Sequence, residues 1–172
     1  MSRNKQKKPK CLPFEGAGKY IARGNQVKGD TCARIFESMA RSDAYKDLKS
    51  RQRDLYTHCK LQYYGKRKPK QDYPDIGIFD DETFYMNFNE VVETYGLYTK
   101  SMCKEFYRDM RELAEHGFIR KLSQGGGIAH KKNIYVFIDE WQTWKPGERY
   151  TKNYPETEKQ PGKKKAKVKT DK

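Results

Sequence analysis

The stretch that decides the fold is "NFNEVVETYGLYTKSMCKEFYRDMRELAEHGFIRKL", residues 87–122. Asn87 is followed three residues later by Glu90, which is a capping-box-like helix start with Asn in the place of Ser or Thr. The pattern predicts a short helix over 88–95. It ends at Gly96, because glycine readily adopts the left-handed conformation that a sharp turn requires.

A second, longer helix is expected after this turn. We expect Thr99 to be its N-cap and the helix to run over about 99–116, with Gly117 ending it. Its apolar residues recur at steps of three and four, which predicts a single buried stripe. The stripe consists of Cys103, Phe106, Met110 and Leu113.

Strand-like segments flank the two helices. The run "ETFYMNF" (82–88) alternates apolar and polar residues and predicts a half-buried strand. The runs "FIRKLS" (118–123) and "NIYVFIDEW" (133–141) predict two strands joined by a glycine-rich loop over 123–133. Because strands lie on both sides of the glycines, no helix N-terminus faces an anion there, which argues against a nucleotide-binding loop. The loop is either a flexible hairpin turn or a hairpin tip that contacts nucleic acid.

The chain upstream of these elements is predicted to supply another helix. The segment "SDAYKDLKSRQRDLYTHCKLQYYG" has a helical stripe over about 51–64, with Ser50 as N-cap and Gly65 as stop. The stripe of this helix consists of Leu48, Leu55, Cys59 and Tyr63. Upstream, the side chains of "CARIFESMARS" (32–42) alternate, which predicts a short strand or extended lead-in.

Positive charge is concentrated at the two ends of the chain. The formal net charge is +14 over 172 residues. Residues 1–10 contain five lysine and arginine residues and no acid, and residues 152–172 contain eight lysines against three acids. We therefore expect disordered basic tails over 1–18 and 146–172 around a domain at 19–145. Such an excess of positive charge favours a polyanionic partner.

Several classes of protein are disfavoured by the sequence. No run approaches the roughly 18 apolar residues that a membrane-spanning helix needs, and no apolar region follows the basic N-terminus as in a signal peptide. The four cysteines form no CxxC pair, so neither a zinc site nor a disulfide framework is indicated. The acidic stretch over 72–82 lacks the calcium-loop pattern. We expect no enzyme activity, cofactor or metal, because no nucleophile–base arrangement is recognisable.

The order of helix, strand, short helix, glycine turn, long helix and β-hairpin resembles that of winged helix-turn-helix proteins. "RELAEHGFI" (111–119) is similar to the common ending of their recognition helix, and the resemblance covers roughly residues 33–141. The segment over 42–65 looks like the first helix of members carried by bacterial plasmids, phages and conjugative elements, some of them replication initiators. The resemblance implies an α+β fold, with a three-helix core and a β-hairpin wing.

The same resemblance implies a sequence-specific double-stranded DNA-binding protein in the bacterial cytoplasm, associated with nucleoid or plasmid. Replication, maintenance and gene regulation of a mobile element all remain open as its role. The expected partner is double-stranded DNA. A replication or transcription protein and a second copy of the chain are further candidates, and a membrane is not expected.

The residue types on the second helix fit this expectation. Arg108 suits a bidentate pair with guanine, Lys104 suits guanine or phosphate, and Glu105 can accept from cytosine in a major groove. Thr99 and Ser101 suit phosphate contacts near the helix start. The alternative is a solvated helix face of mixed charge. The residues expected to contact DNA are Thr99, Lys100, Ser101, Lys104, Glu105 and Arg108 on the helix and Gln124, His130, Lys131 and Lys132 in the wing.

A different class of function also fits part of the sequence. Tyr63 and Tyr64 precede the basic run over 66–68, and aromatic rings next to cations can stack the exposed bases of single strands. The chain could thus be an RNA- or single-strand-binding or protein-docking module that uses its basic tails and tyrosines. The competing interpretation is that one tyrosine packs in the core and the lysines are solvated.

Overall fold

The computed structural model describes residues 19–21, 27–29, 32–64, 74–78, 82–123 and 133–155. It shows an α+β fold in which helices pack against a small antiparallel sheet. Two short strands near the N-terminus, β1 (Lys19–Ile21) and β2 (Val27–Gly29), pair antiparallel in a sheet of their own. The expected tail over 1–18 lies outside the described residues, as does the part of the expected tail over 146–172 that follows residue 155.

Two short helices precede the first long one. Helix α1 covers Glu37–Arg41, so the expectation of a strand or extended lead-in over 32–42 is wrong for its second half. The helix buries Met39, and its ends are joined by an ion pair of 3.1 Å between Arg41 Nη1 and Glu37 Oε1. Five residues are too few to show a helical period, which is why alternation was a poor guide. Ser42 then caps helix α2 (Asp43–Asp47) by accepting from the Tyr45 amide.

Helix α3 covers Ser50–Tyr64, as the stripe predicts, and the expected stop at Gly65 lies outside the described residues. Leu55 and Cys59 are completely buried, and Leu48 is buried just ahead of the helix. Ser50 is the first helical residue and not the N-cap. The Lys49 amide instead donates to Gln52 Oε1 at 2.8 Å, a side-chain cap supplied from within the first turn.

The sheet combines an early strand with the C-terminal hairpin. Strand β3 (Thr83–Tyr85) confirms the strand predicted there, and it lies beside β5 (Ile134–Phe137). Strand β4 (Ile119–Ser123) pairs antiparallel with the other edge of β5, so the order is β3-β5-β4. The second hairpin strand, which the sequence predicts to reach residue 141, is shorter. It ends at Phe137, because a 3-10 turn over Glu140–Gln142 brings the Trp141 amide to the Gly117 carbonyl.

The short helix and the glycine turn occur where the sequence predicts them. Helix α4 covers Phe88–Glu90 and continues as a π-helical turn over Val91–Tyr95. The Asn87 side chain accepts from the Glu90 amide at 2.9 Å, which confirms the cap. Gly96 ends the element with a φ of 64°.

Helix α5 covers Cys103–Glu115 and starts later than expected. Thr99 is not its N-cap. The Thr99 hydroxyl lies 3.0 Å from the Ser101 hydroxyl, and the Thr99 carbonyl accepts from the Met102 amide in a turn ahead of the helix. The predicted stripe is confirmed in its main part, because Phe106, Met110 and Leu113 are fully buried. Cys103 is half-buried at the first position.

The C-terminal boundary of the packed region lies further along the chain than the sequence suggests. The sequence predicts a disordered tail from residue 146, yet residues 146–155 lie along α5 and end in a 3-10 turn over Thr151–Asn153. Asn153 is completely buried, where its Nδ2 donates to the Ala114 carbonyl at 3.2 Å and its Oδ1 accepts from Arg120 Nε at 3.0 Å. Satisfied hydrogen bonds of this kind allow a polar residue to be buried. We refer to residues 144–155 as the C-terminal strap.

Candidate nucleic-acid interface

The outer face of α5 carries three exposed cations. Lys104, Arg108 and Arg111 follow one another at steps of four and three, so they share the side opposite the buried stripe. Within the described part of the chain, Lys104 and Arg108 form no ion pair or hydrogen bond with another residue. Their charges are therefore available to an external anion.

The predicted helix contacts fall into two groups. Thr99, Lys100 and Ser101 are exposed in the turn that precedes α5 and not in its first turn. Lys104 and Arg108 are exposed on the helix, while Glu105 is half-buried beside them. The structure thus brings all six helix candidates to the N-terminal half of α5 and its preceding turn. The predicted wing contacts Gln124, His130, Lys131 and Lys132 lie outside the described residues.

A buried carboxylate fixes the position of this helix. Asp109 Oδ2 accepts from Arg51 Nε at 2.7 Å and from the Tyr98 hydroxyl at 2.9 Å. Its Oδ1 accepts from Gln52 Nε2 at 3.1 Å. The hydrogen bond to Asp109 raises the pKa of Arg51, and burial followed by the bond to Asp109 raises the pKa of Tyr98. The network joins α3, the turn after Gly96 and α5, so the exposed cations stand on a rigid support.

The acidic residues at the far end of α5 pair with an arginine of the C-terminal strap. Arg149 Nη1 lies 2.7 Å from Glu115 Oε2 and 2.9 Å from Glu112 Oε2. These two hydrogen bonds raise the pKa of the Arg149 guanidinium. The strap is also held by the Tyr150 amide, which donates to the Glu115 carbonyl at 2.9 Å. The single positive charge of Arg149 thereby offsets part of the two negative charges that would oppose a polyanion.

Sequence reasoning missed a cluster on the flank of α5. The Arg111 guanidinium carbon lies 5.5 Å, and Lys121 Nζ lies 4.6 Å, from the centre of the Tyr154 ring. Tyr107, which is 39% exposed, lies on the same helix four residues before Arg111. The helical spacing from Arg108 could have added Arg111 to the predicted set. No local signal links it to Lys121 on β4 or to Tyr154 in the strap.

The hypothesis of single-strand binding depends on Tyr63 and Tyr64, and the structure describes only the first of these two side chains. The Tyr63 ring packs edge-on against Phe137 at 5.3 Å and Phe84 at 6.5 Å. It is therefore part of the protein core and not an open stacking platform. The Tyr64 side chain and the basic run over 66–68 lie outside the described residues.

Four further features bear on other kinds of site. Among the residues that the structure describes, no group of three histidine, cysteine or acidic side chains could hold a metal ion. Cys59 is a free, buried thiol whose pKa is raised by burial. No helix in the described ranges is long and apolar enough to cross a membrane. An open cavity of about 640 Å³, lined among others by Tyr56, Lys60 and Trp141, contains none of the predicted DNA contacts.

Comparison with known proteins gave no match. No protein-family model, no curated protein and no solved structure is significantly similar to the chain. The geometry of the chain itself therefore has to support any functional conclusion.

Proposed function

We propose that this chain is a winged-helix protein that binds double-stranded DNA sequence-specifically, with α5 in the major groove and the β4–β5 hairpin as the wing. The element order α3, β3, α4, glycine turn, α5, β4 and β5 supports this, as does the pairing of β3 with β5. These features are compatible with a helix-turn-helix next to a hairpin, and a helix-turn-helix presents its recognition helix to a duplex.

The observation that carries the proposal is the pair of exposed cations on the N-terminal half of α5. Lys104 and Arg108 form no ion pair with another described residue, and the Asp109 network holds their helix in place. The N-terminal residues of a recognition helix are the ones that reach base edges, and an arginine there pairs best with guanine. Thr99, Lys100 and Ser101, in the exposed turn just ahead, are suited to the neighbouring phosphates.

The biological role that we propose is replication, maintenance or regulation of a bacterial mobile element, within the bacterial cytoplasm. Sequence specificity is what these roles have in common. A selected site that is palindromic would in addition identify the binding species as a dimer, because half-site symmetry mirrors the symmetry of the protein.

The test is selection of bound sites from a random duplex library, followed by affinity measurements on the selected site and on random DNA. We expect Lys104→Ala and Arg108→Ala each to cost about 1–3 kcal/mol on the selected site and to relax its specificity. Lys46→Ala, which removes an exposed lysine from α2, serves as the matched control. If random DNA displaces the wild-type protein as readily as the selected site, sequence-specific binding is wrong.

A further inference from the structure

We infer that Arg111, Lys121 and Tyr154 form a binding site for a phosphate of the DNA backbone, on the flank of α5 that faces β4. This inference rests on the proposed DNA binding and adds a backbone contact that is not among the contacts predicted for the start of α5 and for the tip of the wing. The three residues come from the helix, the first hairpin strand and the C-terminal strap.

The first argument is that two cations share one aromatic ring. The Arg111 guanidinium carbon and Lys121 Nζ lie 5.5 Å and 4.6 Å from the Tyr154 ring centre. Burial, and then repulsion from Arg111, lowers the pKa of Lys121. Lys121 forms no ion pair with another residue in the described ranges. An anion that contacts Lys121 would offset this repulsion.

The second argument is that the site is built before any ligand arrives. Tyr154 is only 8% exposed, and its neighbour Asn153 is tied to the Ala114 carbonyl and to Arg120. The strap is held further by the pairing of Arg149 with two acids of α5. A preformed site loses little conformational entropy on binding, so even one charged contact can add measurable affinity.

The third argument is the distance to the proposed base contacts. Arg111 lies seven residues after Lys104, which corresponds to about 10 Å along a helix that rises about 1.5 Å per residue. The N-terminal part of a recognition helix reaches the base edges, and the C-terminal end of such a helix can contact the backbone. We therefore place Arg111 near the backbone when Lys104 reaches the base edges. A guanidinium fork is well matched to phosphate oxygens, and a lysine adds a point charge.

The experiment compares the salt dependence of duplex binding for the full-length wild-type chain, Arg111→Gln, Lys121→Gln and the double variant. One lost phosphate contact lowers the slope of log K against log salt by about 0.9. We expect each single variant to show this loss on selected and random duplexes alike, with the ratio of the two affinities unchanged. The double variant should lose no more than a single one, since both cations hold the same phosphate. Lys46→Gln should leave the slope unchanged, and thermal unfolding checks that each variant is folded.

The outcomes separate this inference from the proposed function. A double variant with the wild-type slope, in a protein that still prefers its selected site, would overturn the phosphate site alone. If the wild type binds random and selected duplexes equally well, while the Gln variants still lower the salt slope, sequence specificity is wrong and the phosphate site stands. Titration with inorganic phosphate provides a second probe. Binding of free phosphate that depends on Lys121, without any change in duplex affinity, would overturn the assignment to the DNA backbone.

Discussion

Arg51 Nε donates a 2.7 Å hydrogen bond to Asp109 Oδ2, and this pair joins α3 to α5 across 58 positions of sequence. Asp109 is 1% exposed, whereas the Arg51 side chain is 31% exposed. The carboxylate is fully desolvated and accepts two further hydrogen bonds, from Gln52 and Tyr98. A charge that is withdrawn from water needs this degree of compensation. Arg108, the neighbouring residue on α5, points to solvent, so the pair also fixes the outer face.

Replacing Asp109 by Asn is the first prediction. The substitution keeps the size of the side chain and removes the charge that three donors share. We expect the free energy of unfolding to fall by about 1.5–3 kcal/mol, the range for hydrogen bonds to charged groups, since Arg51 retains some access to water. Denaturant unfolding measures it. Tyr98→Phe removes one donor and should cost about 1 kcal/mol. A change below about 0.5 kcal/mol for Asp109→Asn would contradict a structural role for this network.

Two left-handed glycines provide a matched pair of substitutions. Gly96 has a φ of 64°, and no atom lies within 4 Å of a Cβ added there. At Gly117 (φ 79°) an added Cβ would lie 2.6 Å from the backbone nitrogen of Trp141. Gly96→Ala should therefore lose about 1–2 kcal/mol, the cost of the left-handed backbone alone. Gly117→Ala should lose clearly more, because the chain after β5 must also shift. Equal losses in the free energy of unfolding, measured by thermal or denaturant unfolding, would show that the close contact at Gly117 adds no cost of its own.

Local signals explain which parts of the fold the sequence predicted. The stripe of α5, the Asn87 cap and the left-handed turn at Gly96 depend on residues a few positions apart. Period and capping chemistry therefore suffice to locate them. The start of α5 was placed four residues early. The Thr99 hydroxyl can pair with Ser101 as readily as with an amide, and sequence does not distinguish the two.

The remaining features depend on contacts that exist only after folding. The strap looks like a polar tail, because Asn153 and Arg149 find their partners on α5 and β4 and not nearby in sequence. The burial of Asp109 is equally hard to predict, since no neighbouring residue indicates that an acid on a helix is buried. For the candidate site, sequence indicated the exposed residues Lys104 and Arg108, but not the cluster around Tyr154.

His58 gives a prediction for the pH dependence of stability. Its ring stacks on Tyr95 at 4.1 Å, and burial lowers its pKa, an effect that the Asp54 carboxylate partly opposes. The unfolded chain takes up this proton near the ordinary value of about 6.5, whereas the folded chain does so only at lower pH. Stability from this group is therefore fully present above pH about 6.5 and is lost as the pH falls toward the lower folded-state pKa.

His58→Phe is the variant that isolates this effect, because it keeps a ring against Tyr95 and removes the titration. We expect its free energy of unfolding to decline less steeply than that of the wild type as the pH falls from about 6.5. Denaturant unfolding at a series of pH values measures both slopes. Parallel curves would show that His58 takes up its proton equally well in the folded and unfolded chains.

The Arg149→Ala variant separates the contribution of the strap to DNA binding from its contribution to stability. Its side chain is 51% exposed, so its two ion pairs are screened by solvent, and Arg149→Ala should cost no more than about 1 kcal/mol of stability. Duplex affinity should fall more noticeably, because Glu112 and Glu115 on the proposed recognition helix would then repel phosphates without compensation. In the Glu112→Gln, Glu115→Gln background, Arg149→Ala should have a much smaller effect on affinity. Lys152→Ala is the matched control, since Lys152 pairs with Glu140 at 2.9 Å and not with α5. An equal loss of duplex affinity in both backgrounds would mean that Arg149 contacts DNA directly and does not act by neutralising the helix.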